Sequence, residues 1–413
     1  MAHPLRERDF RRLFVGRSLS TISDALVPAA LSLAIVLATG SAGALATVLV
    51  CALVPKLVLL PLGGVLADRL QPRLVALVAD LVRCATQAVV AVEIISGDPR
   101  ILVIALSQAL AGAASACAMP TVSPLVAGVV SAEQRQRANS LMGVSKSVAQ
   151  LAGPALAGLL IFTVGAGWVF VLDSAAFALS AALLAGLRVR RINDGQPRSS
   201  LRRDLTTGWR EVASRGWLWS TLVVHAVWNF AAGVLLTLGP LLAVRELGGE
   251  QVWVGVLQAG GLGLLVGSLA AGRYRPRNPV LVTNLMLLTY TIPLVLLAVT
   301  APVPWLLVSY FVAIGMLGYL NPTWETVLQS AVPGPVLARV SSYDWLFSLA
   351  AQPLGYAMAP VVASAWGSAT PLFVAAGLVA LACVGVTAVP AVRAFRMPEP
   401  EPTSLVPVLA KEA

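Results

Sequence analysis

Charge is scarce in this chain of 413 residues. Charged side chains make up 12% of it, whereas hydrophobic residues make up 58%. An average soluble domain is about 25% charged, because its surface must be covered with polar groups. The composition therefore argues against a soluble enzyme or a nucleic-acid-binding protein, and it predicts that most of the surface faces lipid.

Histidine and cysteine are also scarce, with two and four copies. Cys51, Cys84, Cys117 and Cys383 lie in apolar runs without a CxxC or CxxH pattern, so we expect buried apolar residues and no metal site. No GxxxxGK[ST] sequence occurs, which disfavours ATP hydrolysis. No nucleophile–base pair stands out, and the sequence predicts neither an enzyme nor a cofactor.

Long apolar runs are abundant instead. A bilayer core of about 30 Å requires about 20 helical residues, and only helices satisfy their own backbone hydrogen bonds in hydrocarbon. We therefore predict an all-α polytopic membrane protein with twelve transmembrane helices in two six-helix bundles. The predicted spans are 13–38, 43–67, 73–96, 101–127, 138–163, 167–187, 217–243, 252–272, 279–299, 304–329, 339–365 and 369–390.

The basic residues are distributed unevenly between the two sides of these spans. Of the 29 Lys and Arg residues, only Arg100 and Arg245 fall in loops on one side. Lys56, Arg83 and Lys146 fall inside spans, and all the others lie on the opposite side. Because positive loops stay in the cytoplasm, we expect an inner-membrane protein with both termini cytoplasmic.

One long polar stretch, 188–216, divides the chain. It predicts an N-terminal bundle at 1–187, a basic cytoplasmic linker at 188–216, a C-terminal bundle at 217–390 and a disordered tail at 391–413. The second part of the linker is either an amphipathic helix on the inner leaflet or a solvated segment.

Landmarks recur between the halves at a nearly constant offset. Pro120-Thr121 matches Pro322-Thr323, and Gly153 matches Gly355, both 202 residues apart. With six spans per repeat, the halves have the same orientation, and the axis relating them lies along the membrane normal. Such a pair is suited to alternating access around a central site.

The loop GGVLADRLQPR at 63–73 resembles the cytoplasmic signature of the major facilitator superfamily. The resemblance implies the superfamily fold and a gate in which Asp68 pairs with basic groups and helix ends, alongside Gly64, Arg69 and Arg73. Gln71-Pro72 replaces the usual Gly-Arg. In the second-half copy, Ala271 stands where the acid would be.

Span 5 contains LAGPALAGLL, which resembles the Gly-Pro motif of the superfamily's antiporters. Gly153 and Gly158 would allow close packing, and Pro154 would bend the helix near the cavity. The alternative is an ordinary interface of small residues.

A narrower resemblance covers most of the chain. Segments such as DLVR at 80–83, FVLDSAAF at 170–177 and LQSAVPGPVLARVSS at 328–342 resemble the macrolide-efflux and enterobactin-exporter branch. Its members export drugs or siderophores with the proton gradient.

Ionisable residues inside the membrane are expensive and are therefore functional candidates. Asp24 and Lys56 lie 16 residues on either side of Gly40, at nearly the same depth in a hairpin. We expect them to form an ion pair or to share a water-filled cavity. Loss of this pairing would favour protonation of Asp24 and make it a proton carrier; the alternative is a static structural pair.

Other intramembrane charges have open alternatives. Asp80 and Arg83 are three residues apart and predict a local salt bridge. Glu93 is expected to reach headgroups. Asp173 is either a cavity acid or a cap for backbone groups, and Lys146 either pairs across the bundle or snorkels to the inner surface.

Glu325 and Asp344 lie near the cytoplasmic ends of spans 10 and 11, where we expect them to pair with Arg339 or loop arginines as gate contacts. His225 is either a titrating group or a packing residue. Candidate cavity residues for bulky cargo are polar or aromatic side chains of spans 7 and 10: Trp228, Asn229, Tyr319, Asn321 and Trp324.

Together these features predict a monomeric secondary transporter that exports a small organic molecule in exchange for protons. Its expected partners are the small-molecule substrate, protons and membrane lipids, without nucleic acid. The alternatives are an importer or uniporter without proton coupling, and a membrane scaffold or sensor that does not transport.

Overall fold

The computed structural model describes residues 4–131, 134–187, 201–271, 273–274 and 276–396. Within these ranges the chain forms α-helices and short 3₁₀ turns, without a β-strand. This confirms the predicted all-α class. The side chains of some helical residues, including 61–69, lie outside the described part.

The first half of the chain forms the N-terminal bundle, in which a 3₁₀ turn at Met119–Thr121 joins α4 to α5 as one continuous span. Its helices are α1 (Arg8–Thr39), α2 (Ala42–Arg69), α3 (Pro72–Ile95), α4 (Ile101–Ala118), α5 (Val122–Val129), α6 (Arg135–Val164) and α7 (Ala166–Ala185).

The second half forms the C-terminal bundle, preceded by α8 (Leu201–Ser214). A 3₁₀ turn at Leu287–Tyr290 joins α11 to α12, and α14 continues into α15, so each pair makes one span. The helices are α9 (Gly216–Glu246), α10 (Glu250–Ala271), α11 (Pro279–Met286), α12 (Thr291–Ala298), α13 (Val303–Ala331), α14 (Gly334–Ala350), α15 (Gln352–Trp366), α16 (Ala369–Gly385) and α17 (Pro390–Ala394).

Eleven segments of the described chain are long and apolar enough to cross a membrane. Helix α6, with 30 residues from Arg135 to Val164, occupies the place of the remaining predicted span. The protein is therefore a multi-pass membrane protein with the predicted arrangement of two six-helix bundles.

Glycines bring equivalent helix pairs of the two bundles into close contact. A Cβ atom at Gly112 of α4 would lie 2.1 Å from the Ala52 carbonyl oxygen of α2. One at Gly267 of α10 would lie 1.8 Å from the Gly315 carbonyl oxygen of α13. These pairs are the second and fourth spans of each bundle, and small residues allow their backbones to approach.

The N-terminal bundle has two ends that differ in charge. We call the side where α1 begins at Arg8 and α7 ends at Ala185 the basic side, because most Lys and Arg residues of the sequence fall in loops there. The opposite side carries the turn between α1 and α2, where Gly40 adopts a left-handed conformation with φ of 58°.

The hydrophobic core connects the two bundles toward the opposite side. Its N-terminal-bundle members all lie in the halves of their helices nearest that side: examples are Leu33, Leu45, Ile104 and Phe170. The core residues of the N-terminal bundle toward the basic side, such as Phe10, form a separate cluster confined to that bundle. In the described residues, the bundles are thus packed together on the opposite side and separated on the basic side.

The linker and the tail depart from the predicted boundaries. Helix α8 is amphipathic and packs against the C-terminal bundle, with Val212 buried and Trp209 against Trp219 and Phe347. The prediction of disorder from residue 391 is wrong at its start, since Pro390–Ala394 is helical and Val392 is buried. Residues 188–200 and 397–413 lie outside the described part.

Candidate functional site

A charged cluster lies inside the N-terminal bundle, centred on Arg83 of α3. The Arg83 guanidinium donates hydrogen bonds to both carboxylate oxygens of Asp24 in α1, one of them at 3.2 Å. The carbon at the centre of the guanidinium lies 3.8 Å from the centre of the Phe177 ring of α7, a cation–π contact. Arg83 is buried, whereas the Asp24 side chain is 45% exposed.

Asp173 of α7 is the second acid of this cluster. It is fully buried, and neither carboxylate oxygen has a hydrogen-bond partner of good geometry. Its electrostatic neighbours are Asp24 and Arg83, and Ser23 of α1 also lies close to it. Asp173 is therefore an interior acid, and the alternative prediction that it caps backbone groups is not what the structure shows.

Two lysines complete the cluster. Lys56 of α2 is half-buried and interacts electrostatically with Asp24, Arg83 and Lys146. Lys146 of α6 is exposed. Lys146 is close enough to Lys56 for the two positive charges to repel each other.

The predicted direct pair of Asp24 with Lys56 is wrong, although the two residues do share one region. Asp24 pairs with Arg83 instead, because the long Arg83 side chain enters the bundle from α3 and supplies two parallel donors. Equal depth in a helical hairpin places Asp24 and Lys56 at one level of the membrane. It does not predict whether a side chain from a third helix, here Arg83 of α3, lies closer to Asp24.

The predicted salt bridge between Asp80 and Arg83 is also wrong. Asp80 is fully buried, accepts a hydrogen bond from Ser180 of α7 at 2.6 Å, and lies 3.5 Å from the Arg17 guanidinium of α1. Arg83 is drawn away by Asp24. The pair of Asp80 and Arg17 ties α3 to α1 and α7 one level closer to the basic side.

Glu93 is buried rather than extended toward headgroups. Its carboxylate accepts hydrogen bonds from the Arg100 backbone N–H at 2.9 Å and from the Arg100 guanidinium. This clasp closes the turn between α3 and α4, and the hydrogen bond to Glu93 raises the pKa of Arg100. Glu93 is a structural residue at the opposite side.

The predicted gate is only partly within the described residues. Arg73 donates from Nε to the Leu184 carbonyl oxygen at 2.9 Å and also contacts the Ala185 carbonyl, while Arg12 donates to Gly186 at 2.7 Å. Both arginines satisfy free carbonyls at the C-terminal end of α7, where positive charge is favourable. The side chains of Asp68 and Arg69 and the packing of Gly64 lie outside the described part.

The Gly-Pro segment of α6 makes two different contacts. A Cβ atom at Gly153 would lie 2.4 Å from the Ala25 Cβ of α1, so Gly153 serves packing within the bundle. At Gly158 it would lie 2.3 Å from Cγ1 of Val254 in α10, so Gly158 serves the contact between bundles. The side chain of Pro154 lies outside the described part.

A contact that the sequence did not predict joins the bundles at the opposite side. Arg245, near the end of α9, donates a hydrogen bond to the Gly40 carbonyl oxygen in the turn between α1 and α2. The sequence feature that could have indicated this contact is that Arg245 is one of only two basic residues predicted in loops on this side. Together with Gly158, it shows that this side is closed.

In the C-terminal bundle, one buried acid is held by an indole. Trp324 of α13 donates from Nε1 to Asp344 of α14 at 3.1 Å, and His225 packs edge-on against the Trp324 ring at 5.2 Å. His225 is thus a packing residue. Glu325 is exposed, and the Arg339 side chain with which a gate pair was predicted lies outside the described part.

The other candidate cavity residues have different surroundings. Trp228 packs against Tyr290 at 4.6 Å, and Tyr319 donates to the Tyr274 carbonyl at 2.8 Å, so both are buried bundle residues. Asn229 donates to the His225 carbonyl of its own helix, whereas Asn321 is exposed. Of these candidate cavity residues, Asn321 alone is exposed.

A separate apolar cavity of about 310 Å³ lies between α9, α14 and α16. Its lining includes Trp219, Val223, Phe230, Phe347 and Leu378, and it contains no polar surface. Trp219 and Val223 are also partly exposed. An apolar cavity of this kind suits hydrocarbon chains rather than charged groups.

The two six-helix bundles, joined on one side, match the architecture of known transporters. Residues 13–348 match the family model described as Major Facilitator Superfamily. The multidrug efflux pump Tap of Mycolicibacterium fortuitum is 26% identical over 342 residues, 79% of this chain and 82% of the relative. Tap of Mycobacterium tuberculosis strain H37Rv is 27% identical over 374 residues, covering 86% and 87%.

More distant relatives extend the comparison. Macrolide efflux protein A of Streptococcus pyogenes is 20% identical over 268 residues, 64% of this chain and 66% of the relative. A bacterial homolog of the human lysosomal transporter Spinster, solved inward-facing and unoccupied, superposes with a TM-score of 0.70 at 14% identity, covering 97% and 100%. A D-xylose-proton symporter gives 0.70 at 12% identity, covering 94% and 99%. On the family match and the shared fold, this chain belongs to the Major Facilitator Superfamily.

Proposed function

We propose that this protein exports small organic molecules of the drug or siderophore type in exchange for protons, by alternating access. The relatives named as a multidrug efflux pump and a macrolide efflux protein support the direction and the cargo class. The domain limits at 1–187 and 217–390 and a monomeric state are part of the same proposal.

The proposal places the basic side in the cytoplasm of a cell with an inner membrane. The excess of Lys and Arg there supports this, because positive segments are retained inside and attracted to the anionic inner leaflet. With that orientation, the bundle separation on the basic side makes this an inward-facing state, ready to take cargo from the cytoplasm.

The observation that carries the proposal is the ion pair of Asp24 with Arg83 inside the bundle. A charged group in the membrane interior costs about 2.5–3.5 kcal/mol on insertion scales, so it persists where it serves a function. Asp24 is half-exposed while its partner is buried. A proton arriving at Asp24 would compete with Arg83 for the same carboxylate, which links protonation to the arrangement of α1 and α3.

The cargo site would lie between Asp24 and the C-terminal bundle, where Asn321 and Glu325 are exposed on α13. Uncharged polar groups and a carboxylate suit bulky molecules with scattered polar substituents. The gate proposed for 63–73 would close the basic side during the outward-facing state, with Arg73 holding the end of α7 in place.

The test is transport in proteoliposomes with erythromycin as the macrolide probe and ethidium as a cationic probe. Protein inserted with its basic side outward should accumulate at least one probe when the lumen is acid, and nigericin, which collapses the pH gradient, should abolish accumulation. Equilibration that ignores the gradient would replace the antiporter with a uniporter. Failure to move either probe would contradict the proposed cargo class.

A further inference from the structure

Two incompletely satisfied groups lie together in the charged cluster. The Arg83 Nε donor is buried without a hydrogen-bond partner, and the buried carboxylate of Asp173 has Ser23 close to it but no partner of good hydrogen-bond geometry in the described residues. A buried donor or acceptor without a good partner is unfavourable, so these two groups would be expected to bond each other. They do not, because Asp24 holds the guanidinium through its other nitrogens.

The three residues also lie at one level of the bundle. Gly16 of α1 lies against Ser180 of α7. Because α1 and α7 run in opposite directions, Ser23 and Asp24 lie opposite Asp173, and Ser23 is close to the Asp173 carboxylate. Arg83 bonds Asp24 while its guanidinium covers Phe177, one helical turn from Asp173. Arg83 is therefore an electrostatic neighbour of both carboxyl groups.

Access to the two acids differs although they lie at one level. Asp173 is fully buried next to Val169 and Phe170, which belong to the core that joins the bundles on the opposite side. The Asp24 side chain is 45% exposed. One acid is thus sealed in this state while the other is open.

Building on the proposed proton antiport, we infer that Asp24 and Asp173 share a single proton and that Arg83 pairs with whichever carboxylate is ionised. In the state described, Asp173 is protonated and Asp24 is the anion held by Arg83. When Arg83 moves to Asp173, the Asp173 carboxyl loses its proton and Asp24 gains it. Charge is conserved, because one carboxyl group is protonated and the other is ionised in both arrangements.

The other charged groups near the pair have fixed partners or a constant sign. Asp80 is held by Arg17 and Ser180, and is therefore not free to exchange with Arg83. Lys56 of α2 and Lys146 of α6 contribute positive charge on the exposed side of the cluster. They favour the ionised form of Asp24 over that of the sealed Asp173.

The arrangement is tested on the purified protein without any substrate, by infrared spectroscopy of protonated carboxyl groups at neutral pH. Asp173→Asn should remove one carboxyl band from the wild-type spectrum. Asp98→Asn, at an exposed acid between α3 and α4, is the matched control and should leave the spectrum unchanged. An unchanged spectrum in Asp173→Asn would overturn the inference, because Asp173 would then be ionised.

A second variant separates sharing from simple burial. In Asp24→Asn, Arg83 loses its partner and should move to Asp173, which then ionises, so the same band disappears although Asp173 is intact. In Arg83→Gln, both acids should be protonated and an additional band should appear. If Asp173 kept its band in Asp24→Asn, it would be an independent buried acid and the inference would be wrong.

The spectra are read from folded protein only, which a size-exclusion profile and a melting temperature establish for each variant. Because no cargo is added, loss of the predicted band changes would contradict the shared proton even if efflux is confirmed. Conversely, the band changes would stand if neither erythromycin nor ethidium were transported, and the proposed cargo class alone would fail.

Discussion

The two bundles have the same helix arrangement, but they differ in the charge of the residues at equivalent interior positions. At repeat-equivalent positions, 202 residues apart, the ionisable residues of the N-terminal bundle are replaced by uncharged ones. The pairs are Asp24 and Ala226, Lys56 and Gln258, Arg83 and Leu285, and Asp173 and Ala375. The backbone fold therefore does not require the charges, which points to a task carried by the N-terminal bundle alone.

The C-terminal bundle has three packed aromatic residues at positions whose counterparts in the N-terminal bundle are Leu26, Ala88 and Gln108. Trp228, Tyr290 and Tyr310 pack in sequence, with ring centres 4.6 Å and 6.3 Å apart. Its buried acid, Asp344, is held by a neutral indole rather than by arginine. In this part of the molecule, ion pairs are therefore a feature of the N-terminal bundle, whereas the equivalent region of the C-terminal bundle is packed with aromatic and aliphatic side chains.

The largest expected effect comes from removing the open acid. Asp24→Asn should reduce proton-driven export by at least about tenfold, equivalent to about 1.4 kcal/mol, because Arg83 loses the partner for which a proton competes. Exchange of labelled for unlabelled probe without a gradient should persist. The measurement is uptake into proteoliposomes, with Ala226→Ser at the equivalent position as control; equal loss in both variants would remove the functional asymmetry.

The close glycine contacts should behave alike in both bundles. Gly112→Val and Gly267→Val place side-chain carbons against backbone oxygens that cannot withdraw. Each should destabilise its bundle by about 3 kcal/mol or more and lower the melting temperature. Gly377→Val, where no atom lies within 4 Å of the added Cβ, is the control and should melt like wild type. A strong effect in only one bundle would show that the packing is not equivalent.

Contact between the bundles should be sensitive at Gly158. Gly158→Val would meet Val254 and should disfavour the state closed on the opposite side by about 1–3 kcal/mol, whereas Gly143→Val in the same helix enters open space. Distances between spin labels at Ser41 and Gly249 should lengthen in the first variant only. Unchanged distances in Gly158→Val would contradict the described closure.

The smallest effect is expected in the C-terminal bundle. Trp324→Phe removes the hydrogen bond to Asp344 but keeps an aromatic ring against His225. The loss should be about 1 kcal/mol of stability, the net worth of one hydrogen bond. Proton-driven export should be unchanged. A collapse of export in this variant would place proton handling in both bundles.

The sequence alone identified many residues of the site, but it did not predict which of them pair with each other. Ionisable residues within apolar runs identified Asp24, Lys56, Arg83 and Asp173 without any structure. Their pairing was beyond reach, because Arg83 and Asp24 are 59 residues apart and meet only through the rotation of two helices. The three-residue spacing likewise predicted a salt bridge between Asp80 and Arg83. In the folded bundle, Asp80 instead pairs with Arg17, and Arg83 pairs with Asp24.

Apolar runs and the charges that flank them were enough to predict the helical class, the arrangement of spans and the asymmetry of charge between the two sides, because hydrocarbon admits only backbone that satisfies its own hydrogen bonds. The packing of the helices was needed to show which acid pairs with Arg83, which acid is buried, and on which side the bundles are joined. Those outcomes depend on where side chains from different helices meet, and the strength of a buried ion pair changes steeply with distance and with the access of water.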